Sequence, residues 1–217
     1  MMIKKRPYKR RDPEATKQGL VDAVGKILAE HGHHGLGVNK IALIAGINKK
    51  MIYWYFNSYN NLIKTYISGR DFWKPVFERF KSTKPPKQPS VPAYISDIFS
   101  EQFNTFYDNP ELQKMILWQV SESNPLLREV SEEREAQAEP IARLTDAHFK
   151  DSDINFRAVL ALILGGIYYV IWHSKTNKSK VCGIDINEER ERVAFQKAIR
   201  QVIDAVWKAA DASPTPK

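Results

Sequence analysis

The stretch Asn39–Tyr55, NKIALIAGINKKMIYWY, decides the fold of this chain. Its first half carries the spacing of one buried helix face, at Ile41, Ala42, Ile44 and Ala45. Gly46 follows, where a helix ends in a left-handed residue. Asn48 can cap a second short helix that runs through Tyr55. Two short helices joined by a glycine turn predict a helix-turn-helix, whose second helix enters the major groove of DNA.

The predicted second helix carries different chemistry on its different faces. Ile52 and Phe56 are four residues apart and both face the core. The other faces carry cations and phenols, at Lys49, Lys50, Tyr53 and Tyr55. Trp54 lies between the two tyrosines, and we expect it to turn inward and pack. Asn48 either caps the helix or reads a base, and we favour the cap.

The net charge of +8 is concentrated in the first third of the chain. Residues 1–66 hold 12 Lys and Arg against 4 Asp and Glu, whereas residues 67–217 hold 21 of each. This excess suits a polyanionic partner for the N-terminal part alone. Residues 1–12 form a basic arm, which either lies along DNA phosphates or is a solvated end.

Three features predict a soluble, cytoplasmic protein. Cys182 is the only cysteine, so no intrachain disulfide can form and a reducing compartment fits. The N-terminus MMIKKRPYKRR lacks the apolar segment of a secretory signal. The longest uncharged apolar run, Ala158–Trp172, has 15 residues, shorter than the ~18 that a membrane span needs.

Further helices flank the helix-turn-helix. Asp12 as cap and Pro13 at the first position predict a helix to about His31. The loop after it contains two adjacent histidines, His33 and His34. Adjacent residues point in different directions, and no cysteine or carboxylate cluster lies near them in the sequence, so we interpret them as surface residues and predict no metal site. After the helix-turn-helix, a cap at Asn57 or Ser58 predicts a fourth helix that continues to about Phe80.

The order of these pieces resembles the N-terminal domain of the TetR family of bacterial regulators. The resemblance covers roughly Lys17–Ile67. It rests on pieces that stand at the family's spacings: Ile41-Ala42, Ala45-Gly46-Ile47, Tyr53, Phe56 and Leu62-Ile63. Two positions depart from the family pattern. Gly37-Val38 replaces the usual Ser or Thr before the second helix, and Tyr59 replaces a phosphate-binding Lys.

The resemblance implies an all-α protein with a DNA-binding helix-turn-helix domain at residues 13–60 and a helical effector-binding and dimerisation domain at residues 61–217. It implies double-stranded DNA as a partner, with contacts from a set of polar and aromatic residues: Asn39, Lys40, Asn48, Lys49, Lys50, Tyr53, Tyr55 and Tyr59. Tyr53 and Tyr55 would touch phosphates, although Tyr53 is also readable as an aromatic at the edge of the core.

The second domain is helical to its end, with no strand-like alternation. The Pro- and Lys-rich segment 82–92 predicts a break, and Pro140 is expected to kink or split its helix. The helices at about 153–174 and 187–210 correspond to those that form a four-helix dimer interface in the resembled family. Residues Ala158–Trp172 have no polar stripe, so a second subunit is expected to cover part of that helix.

The resemblance also implies a pocket for a small apolar or aromatic effector. The candidate lining residues are the aromatics of the second domain: Phe103, Phe106, Tyr107, Trp118, Phe149, Tyr168, Tyr169 and Trp172. Ordinary core and dimer packing is the alternative for each of them. His148 and His173 lie near this material, and either orients a ligand or is a surface histidine.

No sequence motif of an enzyme or a cofactor site is present: we find no glycine-rich phosphate loop, no H-E-x-x-H and no nucleophile elbow. Together with this absence, the resemblance implies a homodimeric, ligand-responsive repressor that binds a palindromic operator. The alternative is a helical DNA-binding protein without an effector, which acts in DNA organisation or through a protein partner. An enzyme with a DNA-binding head is the third hypothesis, and we expect no catalytic residues.

Overall fold

The computed structural model describes residues 12–87 and 90–212, and these residues confirm the predicted all-α fold. The predicted basic arm, apart from Asp12, lies outside the described residues. Six of the 12 cations of residues 1–66 belong to that arm. Residues 12–66, which the structure describes, therefore carry the other six of these cations.

Ten α-helices follow one another along the described chain. The first five are α1 (Pro13–His31), α2 (Val38–Ala45), α3 (Lys50–Phe56), α4 (Tyr59–Arg70) and α5 (Trp73–Ser82). The second five are α6 (Val91–Asp108), α7 (Pro110–Ser121), α8 (Pro125–Phe149), α9 (Phe156–Trp172) and α10 (Glu189–Ala212). A 3₁₀ turn, His33–Gly35, follows α1, and a π-helical turn, His173–Asn177, follows α9.

The helices of the head begin and end at the residues that local chemistry predicts. The Asp12 side chain accepts a hydrogen bond from the backbone N–H of Glu14 at 3.0 Å, with Pro13 at the first helical position. The Ser58 hydroxyl accepts one from the N–H of Asn61 at 3.0 Å and starts α4. The apolar stripe of α1 is buried as expected, at Leu20, Val24, Ile27 and Leu28.

The prediction of one long fourth helix to Phe80 is wrong, because the chain breaks at Asp71. Asp71 adopts an extended conformation, with φ −72° and ψ 119°. Its Oδ1 accepts a hydrogen bond from the N–H of Trp73 at 3.0 Å, which caps the turn into α5. Its other oxygen, Oδ2, pairs with Arg134 on α8. This side chain therefore stabilises a bend where an uninterrupted helix was expected.

Pro140 does not split its helix, because α8 is continuous from Pro125 to Phe149. Four helices, α6 to α9, form the centre of the larger domain, and α10 packs along α6. Arg200 of α10 pairs with Asp97 of α6 at 2.6 Å. Gln196 donates to Asn104 at 2.6 Å along the same seam.

One helical stretch in the described chain, Phe156–Asn177, has 22 residues and is apolar enough to cross a membrane by length and composition alone. It is longer than the 15-residue run because the helix continues into polar residues. Only 22% of its most apolar window is buried. A helix of a soluble protein passes the same test when it packs against other helices.

Polar contacts join α4, the helix that follows the helix-turn-helix, to the rest of the larger domain. Tyr66 on α4 donates a hydrogen bond to Glu111 at the start of α7, and burial followed by this carboxylate raises the pKa of the phenol. Lys64, also on α4, bonds Glu129 of α8 at 2.8 Å. Helix α4 is therefore held against α7 and α8, and α1 of the helix-turn-helix domain packs on α7 as well.

Candidate functional site

The turn between α2 and α3 has the geometry of a helix-turn-helix. Gly46 is left-handed, with φ 60° and ψ 35°. The N–H of Ile47 returns to the carbonyl of Ala42 at 3.0 Å and closes the end of α2. Ile41 and Ile52 are wholly buried on either side of the turn. The two helices are therefore locked to each other by packing, and the outer face of α3 is held rigidly.

The beginning of α3 shows the capping role of Asn48. Its Oδ1 accepts a hydrogen bond from the N–H of Lys50 at 2.9 Å. Asn39, at the start of α2, accepts a hydrogen bond from the Lys49 ammonium at 3.4 Å, so one cation bridges the two helices. Gly37 precedes α2 and supplies no side-chain cap.

The expectation that Trp54 packs inward is wrong. Its side chain is 77% exposed, next to the 52% exposed Tyr53. The reason is helical geometry: Ile52 and Phe56 face the core, and position 54 lies halfway between them on the opposite side. Leu43 on α2 is 80% exposed as well. The outer surface of the helix-turn-helix therefore combines exposed cations, Lys49 and Lys50, with large apolar side chains.

The remaining predicted DNA contacts lie at the edges of this surface. Tyr55 is half-buried, and the Lys17 ammonium lies 5.7 Å from the centre of its ring. Tyr59 is half-buried too, and burial raises the pKa of its phenol. Lys40 is partly exposed on α2.

A cavity of about 420 Å³ lies in the larger domain between α5 and α9. Its wall is mostly apolar and is formed by side chains that include Trp73, Phe77, Ile98, Phe99, Ile116 and Leu164. A volume of this size falls in the range of small-molecule sites, ~300–1,000 Å³. Because the wall as a whole draws side chains from five helices, α5 to α9, the tertiary fold creates the cavity.

Two polar groups on the cavity wall have hydrogen-bonding capacity left over. The Nε of Arg134 donates to Oδ2 of Asp71 at 3.0 Å, and its Nη1 donates to Oε1 of Gln119 at 3.4 Å. The Nη2 of Arg134 lies 3.0 Å from the same Asp71 oxygen. This contact lacks hydrogen-bond geometry, however. Among the described residues, Nη2 of Arg134 and Nε2 of Gln119 are therefore buried donors without a hydrogen-bond acceptor. Such groups cost free energy unless a ligand or water accepts from them.

Tyr168 is the polar aromatic of this cavity. Its hydroxyl accepts a hydrogen bond from Nε2 of Gln102 at 2.9 Å. Burial raises the pKa of Tyr168, so the phenol is neutral at physiological pH. The wall thus offers a phenol beside the amide and guanidinium donors.

An ion-pair network lies at one side of the cavity. Arg157 on α9 bonds Glu139 at 2.8 Å and Asp146 at 2.6 Å, and Arg143 bonds Glu139 at 3.0 Å. The hydrogen bond from Arg157, followed by that from Arg143, lowers the pKa of Glu139 from 4.5 to about 2. These pairs connect α8 to α9 where both helices border the cavity.

Comparison with known proteins shows which family and which relatives this chain is similar to. Residues 16–65 match the family of bacterial regulatory proteins called tetR. The N-terminal domain of this chain belongs to the TetR family of bacterial transcriptional regulators. The chain is 24% identical over 198 residues to the HTH-type transcriptional repressor SCO4008 of Streptomyces coelicolor, which covers 89% of this chain and 98% of that protein.

Solved structures share the fold at low sequence identity. Salmonella enterica GusR is 18% identical, with a TM-score of 0.64, and the match covers 92% of this chain and 99% of GusR. FadR of Bacillus subtilis in complex with stearoyl-CoA is 20% identical, with a TM-score of 0.59, and the match covers 86% of this chain and 96% of FadR. The likeness in fold therefore extends over both domains and beyond the helix-turn-helix.

Most of the aromatics that the sequence predicts for an effector pocket do not line the cavity. Of the eight, Tyr168 lies on the cavity wall. Phe106 packs against Tyr168 and Trp172, Phe103 against Tyr107, and Trp118 stacks on His33. Phe149 stacks on Phe156, whereas Tyr169 is 57% exposed on α9. Trp172 donates from its indole to the carbonyl of Gln113 at 3.1 Å.

Sequence reasoning missed Arg134, Gln119 and Asp71. An arginine in the acidic, helical run of α8 reads as a surface residue, and no local pattern shows that it turns inward. A buried Asp–Arg pair 63 positions apart has no sequence signal. The signal that was available for Trp54 is its position two residues from Ile52 and from Phe56, which places it on the outer face.

Proposed function

We propose that this TetR-family regulator is a cytoplasmic homodimeric repressor that binds a palindromic operator and releases it when a ligand enters the cavity. The observation that carries the DNA-binding part is the rigid outer face of α3, where exposed Lys49, Lys50, Tyr53 and Trp54 stand together on a buried base. The name of SCO4008 as a repressor supports the direction of regulation.

The outer face supplies two kinds of DNA contact. Lys49 and Lys50 reach phosphates or guanine edges, and Tyr53 donates to a phosphate from its hydroxyl. Trp54 and Leu43 present exposed apolar surface, which suits the methyl group of thymine in the major groove. Asn39 holds Lys49 at the base of α3 and so positions one of the cations.

A homodimer is supported by an apolar surface that the described chain leaves open. Leu162 on α9 is 77% exposed and Tyr169 is 57% exposed, and Val193 on α10 is 58% exposed. A Cβ added at Gly165 or Gly166 meets nothing within 4 Å in the same chain. Each glycine costs ~1 kcal/mol relative to alanine in a helix. A second α9 packed closely against this face would account for that cost.

The ligand that fits the cavity has an apolar body and one hydrogen-bond acceptor. The mostly apolar wall suits a molecule that is largely apolar, and a carbonyl, carboxylate or thioester oxygen would satisfy the donors of Gln119 and Arg134 that lack a hydrogen-bond acceptor. The stearoyl-CoA complex of FadR shows that this fold accommodates a fatty acyl thioester. We therefore infer a fatty acid, an acyl thioester or another molecule of that shape.

The Arg134–Asp71 pair supplies a route from the ligand to the head. Asp71 holds the bend at the C-terminal end of α4, and α4 begins beside the recognition helix. An acceptor that bonds Arg134 competes with Asp71 and changes the free energy of that bend. Ligand binding shifts the head only if one position of α4 binds the ligand better than the other. The presence of the cavity favours this mechanism over a DNA-organising protein without an effector.

The test is a selection of bound sequences from random duplex DNA, followed by titration of the selected duplex with and without a fatty acid series. We expect a palindromic sequence, binding by two protomers and release by one chain-length class. An enriched sequence without two-fold symmetry would contradict the dimeric operator. DNA binding that no acyl compound changes would contradict the assigned ligand class while leaving the DNA-binding role standing.

A further inference from the structure

His33, His34 and Glu122 converge at the seam between the head and the larger domain. Nε2 of His33 lies 2.6 Å from Oε1 of Glu122, and Nε2 of His34 lies 3.5 Å from the same oxygen. One ligand atom from each of the three residues lies within 4.8 Å of the others. The carboxylate that the sequence did not place near the histidines comes from 89 positions further along the chain.

The local backbone brings together the side chains of His33 and His34, which as neighbours in the sequence are expected to point in different directions. Gly32 ends α1 with φ 66°, and the 3₁₀ turn that follows brings the two imidazole rings to 4.0 Å between their centres. His33 stacks on the indole of Trp118, with 5.4 Å between ring centres and 5° between planes. Trp118 is itself buried in α7. One histidine is therefore held by packing.

Glu122 is placed by the end of α7. It follows the last helical residue, Ser121, and its backbone is extended, with φ −135° and ψ 140°. Its side chain is 37% exposed, that of His33 is 19% exposed and that of His34 is 79% exposed. The cluster is therefore a shallow pocket that opens to solvent on the side of His34.

We propose that His33, His34 and Glu122 bind a divalent transition-metal ion of the Zn²⁺ class. Two imidazoles and a carboxylate are ligands that Zn²⁺ accepts, and water completes the tetrahedron on the exposed side. With metal–ligand bonds of ~2.0–2.1 Å, tetrahedral ligand atoms stand ~3.3 Å apart. The 3.5 Å between Nε2 of His34 and Oε1 of Glu122 already matches this spacing. The 2.6 Å between Nε2 of His33 and the same oxygen has to increase by roughly 0.7 Å to reach it. That movement is available to an exposed carboxylate.

A bound ion would join the head to the larger domain. The histidines follow α1, which packs on α2 of the helix-turn-helix, and Glu122 follows α7, which lines the cavity through Ile116, Gln119 and Val120. Coordination would tie the ends of α1 and α7 together and restrain movement of the head relative to the cavity. The metal site shares no residue with the cavity, so its effect would be separate from the proposed response to the ligand.

The test uses the full chain without an affinity tag, stripped of metal with a chelator and carrying Cys182→Ser so that the exposed thiol does not bind the probe. Co²⁺ is titrated while its visible d–d absorption is followed, and Zn²⁺ is then added in competition. We expect one ion per protomer, tetrahedral Co²⁺ absorption and a rise in Tm with Zn²⁺.

Two variants and one control decide the assignment. His34→Ala and Glu122→Gln are expected to weaken binding at least about tenfold, because each loses a ligand to the ion. His34 is 79% exposed, so its loss should leave the fold intact. His31→Ala removes a neighbouring histidine outside the cluster, which lies 3.6 Å from Glu30, and is expected to bind as the parent does. An absence of Co²⁺ binding by the parent, or equal binding by His34→Ala, would overturn the proposal.

Discussion

Arg134 and Asp71 join the wall of the cavity to the bend between α4 and α5, with 3.0 Å between Nε and Oδ2. Both side chains are largely buried, at 14% and 12% exposure. Removing one partner leaves a buried charge without compensation, which costs ~3–5 kcal/mol in such pairs. This contact is therefore a structural requirement of the bend as well as a proposed sensor of the ligand.

We expect Asp71→Ala and Arg134→Ala each to lower the free energy of unfolding. Asp71→Ala should cost more, because it removes the cap of Trp73 as well as the ion pair. A double-mutant cycle in urea should give a coupling energy of roughly 1–3 kcal/mol. Additivity within ~0.3 kcal/mol would show that the pair contributes nothing to the bend.

Filling the cavity should abolish ligand binding and leave DNA binding intact. Leu164→Trp places a larger side chain on the cavity wall, so we expect the thermal shift produced by a fatty acid to disappear. Leu117→Trp is the matched control, since Leu117 is 48% exposed on α7 and does not line the cavity. A thermal shift that survives in Leu164→Trp and is lost in Leu117→Trp would show that the ligand binds outside this cavity.

Trp54→Ala should weaken DNA binding without destabilising the fold. A tryptophan that is 77% exposed contributes little to the core, so the free energy of unfolding should change by no more than ~0.5 kcal/mol. Truncation of a packed tryptophan would instead cost ~3–5 kcal/mol. Chemical denaturation and fluorescence anisotropy on the same samples separate these results. A large loss of stability with unchanged DNA affinity would show instead that Trp54 packs in the core.

Leu162→Glu should convert the dimer into a monomer. The charge would lie on the open face of α9, where desolvation on association has no compensating partner. Sedimentation velocity measures the result, and Leu117→Glu, on α7, controls for the general effect of an exposed charge. If the parent is monomeric, or if Leu162→Glu remains dimeric, α9 is not at the subunit interface.

Acid should break the network beside the cavity only at low pH. The pKa of Glu139 is lowered to about 2, so its ion pairs stabilise the fold fully above its ordinary value of 4.5 and lose that effect as pH falls towards 2. Glu139→Gln should therefore flatten the pH dependence of stability between those values. Carboxyl NMR signals report the titration directly. Titration of Glu139 near 4.5 would show that the pairs with Arg157 and Arg143 do not persist in solution.

The sequence predicted the parts of this structure that local chemistry decides. Asp12, Gly46 and Asn48 act within a few residues of themselves, and the structure confirms each of these termini. Trp54 lies on the outer face because of its position on the helix, although a tryptophan is usually expected in the core. The fourth helix was drawn too long because the partner that bends it at Asp71 is 63 positions away.

The candidate sites depend on contacts that are distant in the sequence. The cavity is formed by side chains from α5 to α9, half of them aliphatic, whereas the sequence predicts a wall of aromatics. The histidine loop was interpreted without Glu122, which the fold brings beside it. In both places the missing information is the packing of α7 and α8 against the helices around them, which no periodicity in a single sequence shows.

The most direct test of the DNA-binding account is an anisotropy titration of the selected palindromic duplex with the parent protein and with Lys49→Ala/Tyr53→Phe. We predict two protomers per duplex and a weakening of at least about tenfold for the double variant, with a salt slope smaller by about 2 because each protomer loses one Lys–phosphate contact. Equal affinity and an equal salt slope for the two proteins would contradict the assignment of α3 as the helix that binds DNA.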